Sequence, residues 1–168
     1  MESAVAHDPT AAHALVLSSP ALRTNLSLMQ GLMMATVGRL MPDFTVGNGL
    51  DADFISHDPA VVSAYKTDPL VHDRVSSTLA QAIVTGGAAA RAAAPEWKIP
   101  TLLMYSGDDR LVAAGGSAEF AAAAPKLVVT SHRFDALYHE IFNERDRAEP
   151  VRILVEWLRL LANRLLKK

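Results

Sequence analysis

The stretch IPTLLMYSGDDRLV, residues 99–112, decides the fold that the sequence predicts. Its first half is a largely apolar run, which is typical of a strand inside a sheet. The run closes at Ser106-Gly107-Asp108-Asp109, where serine, glycine and aspartate indicate a turn. In an open α/β sheet, reactive side chains follow the carboxyl ends of the strands. The two aspartates therefore stand at a place where chemistry is expected.

Two more strands and several helices are predicted around this stretch. Residues 14–17, ALVL, form a short apolar run that ends at Ser18-Ser19-Pro20, as expected of a parallel strand buried on both faces. Residues 126–134 are predicted to form a third strand. Periodic apolar residues and capping signals predict helices at about 22–41, 59–66, 69–91 and 117–124, and from about residue 150 onward.

Two Asp-Pro pairs and one apolar stripe refine these helix predictions. Asp58-Pro59 and Asp68-Pro69 each place a capping carboxylate before a proline that suits the first turn of a helix. The last helix is expected to bury one side, made of Val151, Leu154, Val155, Leu158, Leu161 and Leu165.

The order of these elements predicts an α/β fold with a mainly parallel sheet, because strands alternate with helices. The segment between the first two strands, residues 22–98, is too long for an ordinary crossover connection. It is therefore predicted to be an inserted helical cap, or lid. Residues 1–21 and 99–168 would then form a partial core with three strands and flanking helices.

Composition excludes several classes of function. The chain has 168 residues with a net charge of −2, and it contains no block of five like charges that would bind a phosphate backbone, so no nucleic-acid partner is predicted. It has no cysteine, which excludes disulfides, thiolate metal sites and a cysteine nucleophile. Its apolar runs are too short to span a membrane and its N-terminus is too polar for a secretory signal, so a soluble cytoplasmic protein is expected.

Asp109 and His139 are the candidate catalytic residues. Each follows a predicted strand, and the two residues are thirty positions apart, with one helix and one strand between them, which brings both to the same sheet edge. A carboxylate beside a histidine is the orienting half of a Ser-His-Asp triad. Taken singly, either aspartate is explained as a turn residue and the histidine as a packed or solvated one. No comparable setting surrounds the other histidines, which are His7, His13, His57, His72 and His132.

Four strings resemble the monoacylglycerol lipase and lysophospholipase branch of the α/β-hydrolases, a serine aminopeptidase S33-like family. They are LVLSSPAL (15–22), SHDPAVVSAYKTDPLVH (56–72), IPTLLMYSGDDRLV (99–112) and LYHEIFNE (137–144), in the family's order and spacing. The resemblance implies that Asp109 is the triad acid, because it is the aspartate that directly precedes Arg110-Leu111-Val112. It also implies that His139 is the base and that Val112 lines the substrate pocket.

The same resemblance implies a substrate class and a role for the cap. The substrate would be a small-molecule lipid ester of monoacylglycerol or lysophospholipid type, and the apolar helix with Met29, Leu32 and Met33 would hold its acyl chain. Methionine suits this task because its flexible thioether adapts to different tails. The alternative is that these side chains only pack the cap onto the sheet. An exposed part of the same face is expected to touch a membrane surface transiently.

The sequence departs from the family at its nucleophile. It contains no G-x-S-x-G motif, so the serine and the oxyanion hole that accompanies it are missing. Ala136 also stands where the family usually has glycine. The chain is therefore expected to be the C-terminal portion of a longer hydrolase. Two alternatives stay open: a truncated, inactive remnant that binds or associates, and another capped hydrolase such as a carboxylesterase, aminopeptidase or epoxide hydrolase. No metal or cofactor is expected, and the oligomeric state is not predicted.

Overall fold

A computed structural model of the chain describes residues 12–24 and 45–166. Its strands are β1 (Leu15–Ser18), β2 (Thr45–Gly47), β3 (Arg74–Ser76), β4 (Thr101–Ser106) and β5 (Val129–Phe134). Its helices are α1 (Pro59–Thr67), α2 (Ser77–Ala93), α3 (Ala114–Ala123) and α4 (Ala148–Leu165), with short 3-10 helices at Ala52–Phe54 and Ala94–Glu96. Residues 25–41 of the helix predicted at 22–41 lie outside the described residues.

A parallel sheet with the order β1-β4-β5 forms the centre of the fold. Leu15 of β1 pairs with Thr101 of β4, and Thr101 in turn pairs with Val129 of β5. All six residues of β4 are buried, as expected for the middle strand of a sheet covered on both faces. The predicted α/β class and its three parallel strands are confirmed.

Each face of the sheet carries its own hydrophobic cluster. On one face, Leu103 and Tyr105 of β4 pack with β1, α3 and the end of α2. On the other face, Leu102 and Met104 pack against α4 and the residues that follow β5. The first cluster includes Ala90, which belongs to the sequence range 22–98 that is predicted to form the cap. The C-terminal part of that range thus packs directly on the core.

The prediction that β1 is buried on both faces is wrong. Leu15 and Leu17 are only 3% and 6% exposed, but Val16 between them is 39% exposed. Within the described part of the chain, the cluster on Val16's side of the sheet is built from β4, α4 and the residues after β5. β1 therefore buries one face only and shows the period of two of a half-buried strand.

The helix predicted at 69–91 begins later, at Ser77, and a strand precedes it. Arg74–Ser76 (β3) pairs antiparallel with Thr45–Gly47 (β2). Asp68 accepts a hydrogen bond from Leu70 N in a turn (2.8 Å), whereas the hydroxyl of Ser76 caps the helix by accepting from Leu79 N (3.1 Å). The other Asp-Pro prediction is confirmed, because α1 begins at Pro59 and Asp58 caps it.

The buried side of α4 is rotated from the predicted stripe. Ile153 is 8% exposed and packs in the second cluster together with Leu154 and Trp157. Val151, Val155 and Leu158 were predicted to be buried but are between 39% and 44% exposed. The helix contacts the described sheet along the row 153, 154 and 157, which has the helical spacing of three and four residues.

The segment after β1 is clamped between α2 and α3. Leu22 O accepts a hydrogen bond from the Arg91 guanidinium, and Ala113 N donates to Arg23 O (3.1 Å). A Cβ atom at Gly116 would lie 2.6 Å from Arg23 N, closer than real contacts allow. Glycine at this position in α3 is therefore what permits the close approach of the two backbones.

Candidate active site

The carboxyl ends of β4 and β5 bring Asp109 and His139 together. β4 ends at Ser106 and β5 at Phe134, so each side chain lies in the loop that directly follows its strand. Because the two strands are parallel neighbours, these loops leave the same edge of the sheet. Asp109 Oδ2 lies 2.8 Å from His139 Nδ1, which is a hydrogen bond between residues thirty positions apart.

The carboxylate of Asp109 is held by backbone donors. Its Oδ1 accepts from Leu111 N (2.9 Å) and Val112 N (3.0 Å), which leaves Oδ2 to meet the imidazole. The side chain is only 2% exposed. Val112, the expected pocket residue, is partly buried and holds the Asp109 carboxylate through its backbone N–H.

Asp108 has a different partner and environment. It forms an ion pair with Arg110 (3.3 Å), and both side chains are 47% exposed. The hydrogen bond from Arg110 to Asp108 is the main reason that the pKa of the guanidinium is raised. The guanidinium also lies over the rings of Phe54 (4.8 Å) and Tyr138 (5.1 Å). Of the two adjacent aspartates, Asp109 alone is hydrogen-bonded to His139.

The loop that carries His139 is tied to the end of β4. The Ser106 hydroxyl donates to Leu137 O, and Gly107 N donates to Phe134 O (2.8 Å). A Cβ atom at Gly107 would lie 2.6 Å from the carboxylate of Asp135, so the two loops approach closely only because this residue is glycine. These contacts fix the position of the loop backbone from which the His139 side chain extends toward Asp109.

The imidazole of His139 has one ring nitrogen directed at the Asp109 carboxylate. Its side chain is 28% exposed, and its Nδ1 faces the carboxylate. The tautomer that satisfies this hydrogen bond carries the proton on Nδ1. The unprotonated Nε2 is then the nitrogen that can accept a proton from a nucleophile, while the carboxylate stabilises the imidazolium that forms.

A second carboxylate–histidine pair lies beside the first. Glu144, which is 1% exposed, accepts hydrogen bonds from Tyr138 N (2.6 Å), His57 N (3.0 Å) and His57 Nδ1 (2.8 Å). Burial by itself raises the pKa of the Glu144 carboxyl, but the bond from Tyr138 and then those from His57 outweigh it and lower the pKa below its ordinary value. The expectation that His57 lacks a setting comparable to that of His139 is therefore wrong. Both residues of this pair fall in strings quoted above, but they lie 87 positions apart and nothing in either string indicates that they bond.

A cavity of about 600 Å³ opens next to this pair. It lies between Tyr138 and His57 on one side and α1 on the other, where it is lined by Pro59, Val62, Ser63, Lys66 and Thr67. Asp109 and His139 do not line it. The predicted acyl-binding residues Met29, Leu32 and Met33 lie outside the described residues.

The described ranges also bear on metals and membranes. Among residues 12–24 and 45–166, no group of three or more His, Asp or Glu side chains is arranged to hold a metal ion. In the same part of the chain, no helix combines the length and the apolar character that crossing a membrane requires.

Comparison with known proteins gives consistent matches. The sequence model of the family described as serine aminopeptidase, S33 matches residues 2–146. The monoacylglycerol lipase of Mycolicibacterium smegmatis is 32% identical over 148 residues, which cover 86% of this chain and 52% of the lipase. Phospholipase YtpA of Bacillus subtilis is 28% identical over 138 residues, with coverages of 80% and 53%. The chain thus spans about half the length of these two curated relatives.

The three-dimensional match agrees with the sequence matches. The crystal structure of Paleococcus ferrophilus monoacylglycerol lipase aligns with a TM-score of 0.87 and 31% sequence identity. The alignment covers 94% of this chain and 62% of that structure. A soluble variant of the monoglyceride lipase from Saccharomyces cerevisiae aligns with a TM-score of 0.74 at 19% identity, which extends the likeness in fold.

Proposed function

The chain belongs to the serine aminopeptidase S33 family of α/β-hydrolases, and we propose that its Asp109 and His139 are the acid and the base of a Ser-His-Asp triad that cleaves carboxylic esters. The observation that carries the proposal is the 2.8 Å hydrogen bond between Asp109 Oδ2 and His139 Nδ1 at the carboxyl edge of the sheet. A buried acid, a partly exposed imidazole and the correct ring nitrogen toward the acid are the features that the triad requires.

The proposed reaction proceeds in two halves. The nucleophile is a serine, which these 168 residues do not provide in a G-x-S-x-G motif. Its hydroxyl oxygen attacks the ester carbonyl, and His139 Nε2 takes the hydroxyl proton. His139 then gives that proton to the departing alcohol, which leaves an acyl-serine. In the second half, His139 takes a proton from water, the resulting hydroxide releases the fatty acid, and the proton returns to the serine. Throughout, Asp109 holds the ring and stabilises its charged form.

The proposed substrate is a small-molecule lipid ester of the monoacylglycerol or lysophospholipid type. The names of two relatives, a monoacylglycerol lipase and a phospholipase, support this class. Residues 22–98 are proposed to form the cap, in which Met29, Leu32 and Met33 hold the acyl chain, and Val112 is proposed to line the pocket. Contact with a membrane surface through the cap and a cytoplasmic location belong to the same proposal.

Two other functions are candidates, one a non-catalytic role and the other a different hydrolase reaction. A non-catalytic binding or association module is favoured by one observation, which is that the 168 residues contain no G-x-S-x-G. An aminopeptidase is favoured by the description of the matching family. A substrate panel separates the enzymes, because one α/β-hydrolase fold supports all of these reactions.

The test uses the product of the complete reading frame that contains these 168 codons. The DNA immediately 5′ of the Met1 codon is read first, and the whole frame is then expressed and treated with a fluorophosphonate probe. Its hydrolysis of 1-monoacylglycerols, lysophospholipids and aminoacyl anilides is compared. Labelling together with release of fatty acid from the first two substrates is the expected result. A stop codon or unrelated sequence upstream, or a labelled protein that cleaves only anilides, would contradict the lipase proposal.

A further inference from the structure

We propose that Glu144 is a positioning residue, which fixes the loop of the proposed base His139 by bonding it to the segment Ser56-His57 that leads into α1. The inference rests on the proposed function, because positioning matters only if His139 acts as the base. It starts from the contacts of the buried Glu144 carboxylate, which join two parts of the chain that are 87 positions apart.

The backbone on both sides of His139 is held by this arrangement. The residue before it, Tyr138, donates its N–H to Glu144 Oε1 (2.6 Å). The residue after it, Glu140, donates its N–H to Ile55 O (2.9 Å). The peptide units that flank the imidazole are thus anchored to residues 55–57, one directly and one through the Glu144 carboxylate. Neither bond involves the imidazole of His139, whose Nδ1 is hydrogen-bonded to Asp109 Oδ2.

An ionised carboxylate fits this position and an amide does not. Glu144 Oε1 accepts from Tyr138 N and His57 Nδ1, while Oε2 accepts from His57 N and faces the Ser56 hydroxyl at 3.3 Å. A glutamine has one oxygen and one NH₂ group, so in either orientation its NH₂ group would face a backbone N–H that cannot accept. Only a group with two acceptor oxygens satisfies both backbone donors at once.

Aromatic contacts join the same segment to the loop of the acid. The ring of His57 stacks on Tyr138 with centroids 3.6 Å apart, and Phe54 meets Tyr138 edge-on at 5.8 Å. Arg110, one residue after the acid Asp109, lies over both Phe54 and Tyr138. The acid loop, the base loop and residues 54–57 therefore form one connected unit, with Glu144 as its buried polar centre.

The test measures the hydrogen bond of His139 directly in the protein encoded by the complete reading frame that contains these 168 codons. A proton held between His139 Nδ1 and Asp109 gives a far-downfield ¹H NMR signal, which is assigned by its loss in H139Q and D109A. In E144Q we expect this signal to be lost, and the amide proton of Tyr138 to exchange on the order of tenfold faster or more. The matched control is E140Q, which removes the same charge from the same loop. Within residues 12–24 and 45–166, the Glu140 side chain accepts only from the exposed Asn143 amide, so the signal should persist.

The outcomes separate the two proposals. A signal that persists in D109A would contradict the acid–base pair itself. A signal lost in D109A but unchanged in E144Q would overturn the positioning role alone, as would its loss in E140Q to the same degree. If circular dichroism shows that E144Q does not fold, the H57F variant tests the positioning role instead. It keeps a ring against Tyr138 but removes the bond from Nδ1 to Glu144, so faster exchange of the His139 proton is expected and unchanged exchange would overturn the proposal.

Discussion

His139 Nδ1 lies 2.8 Å from Asp109 Oδ2, while the preceding residue, Asp108, pairs with Arg110 at the surface. The turn after β4 thus sends two adjacent, chemically identical side chains into different environments. One is 2% exposed and hydrogen-bonded by two backbone N–H groups, and the other is 47% exposed. Local backbone geometry, rather than residue type, therefore distinguishes the candidate acid from its neighbour.

The 168-residue chain by itself is expected to be inactive. An acid and a base act on a nucleophile, and the chain has no G-x-S-x-G to supply one. Its hydrolysis of p-nitrophenyl esters should equal that of its H139A variant, and a fluorophosphonate probe should leave it unlabelled. Reproducible labelling at a serine would contradict this expectation, because it would show that the chain carries a nucleophilic serine outside a G-x-S-x-G motif.

The two glycines near the start of α3 are expected to respond oppositely to alanine. At Gly116 the new Cβ would lie 2.6 Å from Arg23 N, so G116A should lower the free energy of unfolding by about 1–3 kcal/mol. At Gly115 the nearest atom would be Arg23 Nη1 at 3.7 Å, an ordinary contact, so G115A should raise it by up to about 1 kcal/mol. Urea unfolding measures both, and equal effects would contradict the packing of residues 21–23 against α3.

Glu144 is expected to make the stability of the fold sensitive to acid. Its pKa in the folded chain lies below the ordinary value of 4.5, so the stabilisation it provides is fully present above that pH. As the pH falls below 4.5, the unfolded chain takes up a proton before the folded one does, and the stabilisation is lost through the folded pKa.

Urea midpoints between pH 3 and pH 7 measure this effect in the wild type, E144Q and the control E140Q. The difference between wild type and E144Q should be largest near neutral pH and should shrink below 4.5. The E140Q curve should follow the wild type. A wild-type-minus-E144Q difference that is constant across the range would mean that the carboxylate is not preferentially ionised in the folded state.

The sequence predicts an element correctly where burial of that element produces a recognisable run of apolar residues. The largely apolar run at residues 99–105 predicts β4, because a central parallel strand is buried on both faces. The polar turn after it predicts where Asp109 stands. The pair β2–β3 was missed because Thr45–Gly47 and Arg74–Ser76 are strands of three residues with little burial, so alternation cannot be seen in them.

The Glu144 cluster was missed for a different reason. LYHEIFNE and SHDP both belong to strings that resemble the family, but nothing in either string indicates that Glu144 bonds to His57. Contacts across 87 positions depend on how β5, its following loop and the segment before α1 pack together. No local pattern in a single sequence indicates which distant residues this packing brings into contact. The predicted roles of Met29, Leu32 and Met33 stay predictions.

The catalytic rate of D109N tests the central claim most directly. It is measured as the kcat for 1-monoacylglycerol hydrolysis by the protein encoded by the complete reading frame. Asparagine keeps the shape of the acid but cannot stabilise the imidazolium, so kcat should fall by a factor on the order of 10³ or more with little change in KM. The matched variant D108N, one residue earlier and paired with Arg110 at the surface, should keep a kcat close to that of the wild type. A wild-type kcat in D109N, or an equal loss in D108N, would contradict the assignment of Asp109 as the triad acid.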